Sequence, residues 1–132
     1  MKQFDFRETV TYLKTKKLDY TQRSIPFRSG VLRNEVIELF YISQLTDRTA
    51  LTDSIVKPLV LHCSSSRRFV NARIAMDSII YADNCRIESD AEKVEDFILS
   101  GMVVILFSND RQYIVANLKM VEHRQVATPQ LS

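Results

Sequence analysis

The side chains best suited to metal binding are His62, Cys63, Cys85 and His123. Together they offer a Cys₂His₂ set, a common coordination sphere for structural zinc. The spacing argues against zinc, because no CxxC or HxxxH unit supplies two ligands from one turn. We therefore expect no metal site. We also expect two free thiols, because the charged N-terminal stretch lacks the apolar core of an export signal.

The segment from Ser64 to Arg68, with sequence SSSRR, combines hydroxyls with two guanidiniums. Such groups hold phosphates and carboxylates, so Arg67 and Arg68 are candidate anion ligands. The segment has no glycine that would let the backbone wrap an anion, and it is therefore not a P-loop. The alternative interpretation is a solvated surface loop.

Nucleophilic catalysis needs an activated serine or cysteine close to a base. The sequence contains neither a GxSxG elbow nor a similar context, and its acidic pairs, such as Glu95 and Asp96, stand where solvent-facing charges are expected. The residues therefore point to no catalytic site and no cofactor, and we expect a protein that is not an enzyme.

The composition is that of one soluble domain. The chain has 132 residues, of which 45% are hydrophobic and 26% charged, and no apolar run approaches the ~18 residues that span a bilayer. Residues 1–33 carry eight basic and three acidic side chains, whereas the whole chain has a net charge of +2. Glycine-aromatic interleaving is absent, so we expect a solvated basic face and no nucleic-acid partner.

The clearest succession of elements lies between Ser89 and Leu118. Ser89 and Glu92 have capping-box spacing, which predicts a helix, and Gly101 is a natural stop after it. The apolar run 102–107 predicts a central strand covered on both faces. Asn109-Asp110 predicts a two-residue hairpin turn, and the alternation from residue 112 onward predicts a half-buried strand.

The first half of the chain predicts a helix over residues 6–16, capped by Asp5, and then a strand pair over 20–27 and 35–43. Pro26 marks the first of these strands as an edge strand or a strand end. Asp47 predicts the start of a helix that Pro58 ends. Residues 62–68 read as a loop, 69–80 as either helix or strand, and 84–87 as a short strand.

These elements predict an α/β (α+β) fold. We expect a mixed β-sheet of about four or five strands with two β-hairpins, flanked by three or four helices. The strand over 102–107 should lie near the centre of the sheet.

Four segments resemble, in order, motifs in the N-terminal hydrophilic domain of the A subunits of GerA-type spore germinant receptors. The motif xYIxGLxD corresponds to residues 40–47 and ILKPL to 55–59, while ILxG with xVLFIDG corresponds to 98–109 and RxVxEP to 124–129. An upstream sDxxxR motif matches residues 19–23. The matched positions, which we expect to be structural, are Asp19, Arg23, Tyr41, Leu45, Asp47, Lys57, Pro58, Leu59, Gly101, Phe107, Arg124 and Pro129.

The resemblance implies a non-enzymatic domain of a membrane nutrient receptor that acts in germinant sensing or signal relay. It places the domain on the cytoplasmic side of the spore inner membrane. The implied partners are the remainder of the A subunit, a transporter-like B subunit and a lipoprotein C subunit, with a small nutrient as candidate ligand. Residues 1–132 would be the first half of a two-part N-terminal domain, with 121–132 as an extended tail.

The residues alone leave two other interpretations open. One is a stand-alone α/β interaction domain, including one that self-associates through exposed strand edges. The other is a small anion-binding or hydrolytic protein that uses Arg67 and Arg68.

Overall fold

The structure is a computed structural model, and it describes residues 2–16, 20–30, 33–64 and 69–120. The strands are β1 Tyr20–Ser29, β2 Arg33–Ile42, β3 Cys85–Glu88, β4 Val103–Phe107 and β5 Tyr113–Ala116. The helices are α1 Phe6–Thr15, α2 Arg48–Leu51, α3 Lys57–Ser64, α4 Ala72–Ile74 and α5 Val94–Leu99. Shorter turns are 3₁₀ at Ser43–Leu45 and Ala91–Lys93 and π-helical at Thr52–Val56 and Ala75–Ile79.

The predicted α+β fold class is confirmed, and both predicted hairpins, β1–β2 and β4–β5, are present. The strands form one sheet in the order β1-β2-β4-β5-β3, so β4 is central and β1 is an edge strand, as predicted. The sheet is antiparallel at every described pairing rather than mixed. The reason is topological: β3 and β4, joined through α5, do run parallel, but β5 lies between them.

Both faces of the sheet are covered. The face towards α2–α4 carries the larger apolar cluster, which includes Ile37, Ile105 and Phe107. The face towards α1 and α5 carries a second cluster, which includes Leu106 and Ile98. Because neighbouring residues of a strand point to opposite faces, the five residues of β4 are divided between two cores and all five are buried.

Strand β5 was predicted to be half-buried, and this is wrong, because all four of its residues are buried. The N-terminal segment covers the side expected to face solvent. The Phe4 N–H donates to the Ser89 carbonyl at 2.9 Å, and the Phe4 and Tyr113 rings lie 5.0 Å apart. The Tyr113 hydroxyl donates to the Asp90 carbonyl at 2.6 Å, so its polar end is satisfied inside the core.

The contact between Phe4 and Ser89 also explains why the predicted start of the helix before β4 is wrong. Asp90, not Ser89, is the cap, since its carboxylate accepts the Glu92 N–H at 3.0 Å. Ser89 is engaged in pairing with the N-terminal segment instead. Helix α5 then ends at Leu99, and Gly101, two residues later, has a φ of 96°, the left-handed conformation predicted for it.

Pro58 was predicted to end its helix, and this is wrong. Asp47 does cap the helix, accepting the Ala50 N–H at 3.1 Å, but the helical run continues through the π-helical turn Thr52–Val56 into α3. Pro58 cannot donate to the carbonyl of Ser54, four residues earlier. That carbonyl accepts the Tyr81 N–H at 2.9 Å instead, so a neighbouring element satisfies the group that proline leaves free.

Two other predictions are resolved in the middle of the chain. Of the predicted loop 62–68, residues 62–64 belong to α3, and 65–68 lie outside the described residues. The segment 69–80, open between helix and strand, contains α4 and a π-helical turn. Asn71 caps α4 by accepting the Ile74 N–H at 2.9 Å.

The carboxylate of Glu95 on α5 joins three elements. It accepts hydrogen bonds from the Tyr12 hydroxyl of α1 and the Tyr20 hydroxyl of β1, each at 2.8 Å. The Lys16 ammonium lies 3.7 Å from the same carboxylate. Burial alone would raise the pKa of Glu95, but the two tyrosine hydrogen bonds and the charge of Lys16 outweigh it and lower this pKa below 4.5.

We expect Glu95→Gln to lower the free energy of unfolding by about 1 kcal/mol at neutral pH, because it replaces charge-assisted hydrogen bonds by neutral ones. A carboxylate with a lowered folded-state pKa stabilises the fold above its unfolded pKa, and this part is lost as pH falls through the folded value. The stability difference between wild type and variant should therefore shrink below about pH 4.5. Urea denaturation across pH 3 to 7 would measure it, and a difference independent of pH would contradict the proposed cause.

Candidate functional site

An open groove with a volume of about 980 Å³ lies at one end of the sheet. Three separate segments line it: the start of α1, the start of β2 and the loop between β4 and β5. The antiparallel pairing of β2 with β4 brings the last two together, and the Ser108 N–H extends it by donating to the Val36 carbonyl at 3.0 Å.

A hydrogen-bonded network fixes the wall between β2 and the loop. The Ser108 hydroxyl accepts the Val36 N–H at 2.8 Å and donates to Glu35 Oε1 at 2.7 Å. Arg33 Nε lies 3.4 Å from the other oxygen of Glu35. Ser108 therefore holds the wall both as a donor and as an acceptor. Its side-chain partner is a carboxylate and not the imidazole that activates a catalytic serine.

The β4–β5 loop differs from the predicted two-residue turn. Pairing stops at Leu106 and Tyr113, and the Asp110 N–H donates to the Phe107 carbonyl at 3.1 Å. The Asp110 carboxylate accepts the N–H groups of Ala72 at 2.9 Å and Gln112 at 3.0 Å. The loop is longer because it is anchored to the segment before α4.

Asn109 supplies an unused acceptor in this loop. Its amide nitrogen donates to the Val70 carbonyl at 2.9 Å, and its amide oxygen is buried with no hydrogen-bond partner among the described residues. A buried polar atom without a partner costs free energy, but because this oxygen is buried it is closed to a ligand in the groove.

The groove is suited to binding. The Arg7 and Arg111 guanidiniums line it, and neither forms an ion pair with a residue that the structure describes. The carboxylates of Asp5 and Asp110 are engaged with backbone N–H groups. The lining also includes Arg33 and Glu35, so three guanidiniums and three carboxylates share the groove, and Arg7 and Arg111 are the guanidiniums left for a ligand to contact.

The groove was not predicted from the sequence. Its residues come from three segments about 25 to 70 positions apart, and no local spacing links them. The one available signal was the polar Ser-Asn-Asp-Arg run after the strongest predicted strand, since loops at strand ends commonly carry binding residues.

The structure places the described motif positions in four settings. Arg23 and Tyr41 line a pocket of about 410 Å³ beside β1. Leu45 lies beside Gly101, at the end of the sheet opposite the groove, and the Asp47 N–H donates to the Leu118 carbonyl at 2.8 Å. Lys57 is exposed and lies 3.5 Å from Asp53. The motif positions buried in the core facing α2–α4 are Tyr41, Pro58, Leu59 and Phe107.

Several predicted site residues lie outside the described residues. The motif positions among them are Asp19, Arg124 and Pro129, and the anion candidates are Arg67 and Arg68. His123 and the predicted tail 121–132 are also outside. Within the described ranges, no group of three or more His, Cys, Asp or Glu side chains is close enough to hold a metal ion.

Both cysteines are free and half-buried, which confirms the prediction for them. Burial raises the pKa of the Cys63 thiol to about 11. Burial and the charge of Asp83 also raise the pKa of Cys85. The thiolate is the reactive form, so neither group is activated.

The described residues define an α/β/α-layered domain with a polar groove suited to binding and no assembled catalytic group. The chain belongs to the Bacillus/Clostridium GerA spore germination protein family, whose family model matches residues 8–132. The predicted family resemblance is therefore confirmed, and the protein has a role in spore germination.

Among solved structures, the chain is similar to the N-terminal domain of the A subunit of the Bacillus megaterium spore germinant receptor GerK3. The identity is 11% and the TM-score 0.47, and the match covers 88% of this chain and 91% of that chain. No curated protein matches the chain. None of the described helices combines the length and apolar character that crossing a membrane requires.

Proposed function

We propose that this chain is a non-enzymatic domain of a nutrient-germinant receptor and contributes to germinant sensing or signal relay. The observation that carries the proposal is the match of the GerA family model to residues 8–132. The groove supports it, because its polar lining, with the Arg7 and Arg111 guanidiniums outside any described ion pair, suits a polar ligand or partner better than a reaction.

The proposal includes the position of the domain in a larger assembly. Residues 1–132 form the first half of a two-part N-terminal domain, on the cytoplasmic side of the spore inner membrane. Its partners are the remainder of the A subunit, a transporter-like B subunit and a lipoprotein C subunit, and a small nutrient is the candidate ligand.

Relay needs two arrangements of the domain and its neighbours, and a ligand can shift them only if it binds one arrangement better. The groove is placed for this, because the loop that lines it is anchored to both β2 and the segment before α4. Movement of this loop would therefore be transmitted to the helices on one face of the sheet.

We expect spores carrying Arg7→Gln together with Arg111→Gln to need roughly tenfold or more additional germinant for half-maximal germination, the lower figure applying if only one of the two contacts the ligand. Losing a hydrogen bond to a charged group costs roughly 1.5–3 kcal/mol, and each 1.4 kcal/mol is about tenfold in affinity. The measurement is the fall in optical density of purified spores against germinant concentration, with receptor levels checked by immunoblot.

Lys14→Gln is the matched control, because Lys14 is an exposed cation on the same helix as Arg7 but does not line the groove. Its concentration dependence should equal that of wild type. Wild-type behaviour of the double arginine variant at normal receptor levels would exclude the groove from sensing. Wild-type germination after deletion of the gene, for every nutrient to which the spores respond, would contradict the receptor role itself.

A further inference from the structure

A second pocket, of about 410 Å³, lies beside the edge strand β1 and away from the groove. Strands β1 and β2 contribute Arg23 and Tyr41 to it, and the helical run that begins with α2 contributes Arg48. Thr49 and Thr52 also line it. The pocket therefore gathers two guanidiniums and three hydroxyls from three elements.

Both guanidiniums are available to a ligand. Neither Arg23 nor Arg48 forms an ion pair with a residue in the described part of the chain. One carboxylate, that of Asp53, also lines the pocket, but it lies 3.5 Å from the Lys57 ammonium. The charge of the pocket is thus positive, and its negative group already has a counter-ion.

Tyr41 adds a hydroxyl that is open to the pocket. Its side chain is packed in the core and only 9% exposed, but its hydroxyl is not among the buried atoms that lack a partner. Because Tyr41 lines the pocket, the hydroxyl lies at the pocket surface at the end of a ring that the core holds in place. It can therefore donate to a molecule bound there.

These groups select the chemistry of the ligand. Guanidiniums are donors only, and tyrosine and threonine hydroxyls can all donate. A carboxylate has two oxygens to satisfy such donors, whereas a phosphate group has three or four. We propose that this pocket binds a phosphate group, carried either by a soluble molecule or by an anionic lipid headgroup.

The proposal goes beyond receptor function and does not depend on it, because it rests on a different pocket and on different residues from the groove. The basic N-terminal third of the chain agrees with it, since residues 1–33 hold eight of the 18 lysines and arginines. Such an excess attracts anionic molecules and anionic membrane surfaces alike.

The test titrates the 132-residue chain with inorganic phosphate and follows backbone amide shifts by NMR. Saturable shifts should cluster around Arg23, Tyr41 and Arg48.

Sedimentation with phosphatidylglycerol vesicles, compared with phosphatidylcholine vesicles, then identifies whether the phosphate group belongs to a lipid or to a soluble molecule. Binding to phosphatidylglycerol vesicles that depends on Tyr41 identifies a headgroup, and phosphate binding without vesicle binding identifies a soluble ligand. The absence of both would overturn the proposal.

Tyr41→Phe and Arg48→Gln should each weaken binding about tenfold, because each removes a hydrogen bond to a charged ligand. Arg73→Gln, which removes an exposed guanidinium outside the pocket, should leave binding unchanged. Tyr41→Phe should also leave urea stability unchanged, since the hydroxyl has no partner within the described residues. Equal binding by all variants would overturn the assignment of phosphate to this pocket, and a marked loss of stability in Tyr41→Phe would show that the hydroxyl serves the fold and not a ligand.

Discussion

Replacing either Leu106 or Phe107 by alanine is expected to lower the free energy of unfolding by about 3 kcal/mol or more, although the two side chains point to opposite faces of β4. Both are completely buried, Leu106 in the cluster towards α1 and α5 and Phe107 in the cluster towards α2–α4. Each truncation leaves a cavity in a different core. A sheet covered on one face only would make just one of the two substitutions costly.

Leu99→Ala is the control, because Leu99 is 51% exposed and should cost no more than about 0.5 kcal/mol. Guanidinium denaturation of the three variants gives the comparison. If either Leu106→Ala or Phe107→Ala behaves like Leu99→Ala, the two-core description is wrong. Domains of this size are stable by roughly 5–15 kcal/mol, so both core variants should also be less abundant in spores.

The elements predicted best are those whose local signals and tertiary surroundings agree. In β4 an unbroken apolar run coincides with a strand buried on both faces. In α1 the cap Asp5, the apolar spacing and the observed helix match to within one residue. Local consistency of this kind is what makes a pattern predictive.

The errors occur where a distant segment changes the outcome. The Tyr81 N–H takes the carbonyl that Pro58 leaves free, so the helix continues. Phe4 packs on Tyr113 and pairs with Ser89, which buries one strand and moves one cap. The local sequence around Pro58 does not indicate Tyr81 as a partner, and the alternation of β5 does not indicate Phe4. Both contacts depend on how the strands and helices are arranged in the fold.

The candidate sites show the same limit more strongly. The family motifs include Arg23 and Tyr41, but only the fold shows that these two residues share a pocket with Arg48. The groove carried no motif that indicated binding, because its only positions within a matched motif, Ser108 and Asn109, were not marked as site residues. Binding residues brought together by topology have no fixed spacing, whereas caps and turns do, and so the fold was more predictable than the sites.

Gly101→Ala is expected to destabilise the protein by about 1–3 kcal/mol, the usual cost of forcing an ordinary residue into a strained backbone conformation. Gly101 has a φ of 96°. Its N–H donates to the Ile98 carbonyl and the Met102 N–H to the Phe97 carbonyl, each at 3.0 Å, which is the Schellman arrangement at a helix end. These bonds hold the backbone in place between α5 and the central strand, so the strain cannot be relaxed by a small shift.

A competing cause is steric, because a Cβ at Gly101 would lie 3.2 Å from Cγ and Cδ of Lys119. Lys119 is exposed and its side chain is flexible, so it can move aside. We therefore expect the double variant Gly101→Ala with Lys119→Ala to be no more stable than Gly101→Ala with Lys119 intact. Gly30→Ala separates the causes further, because Gly30 has a φ of 77° and nothing within 4 Å of the added Cβ. A comparable loss at Gly30 would support backbone strain as the cause, whereas recovery of stability in the double variant would assign the loss to the lysine contact.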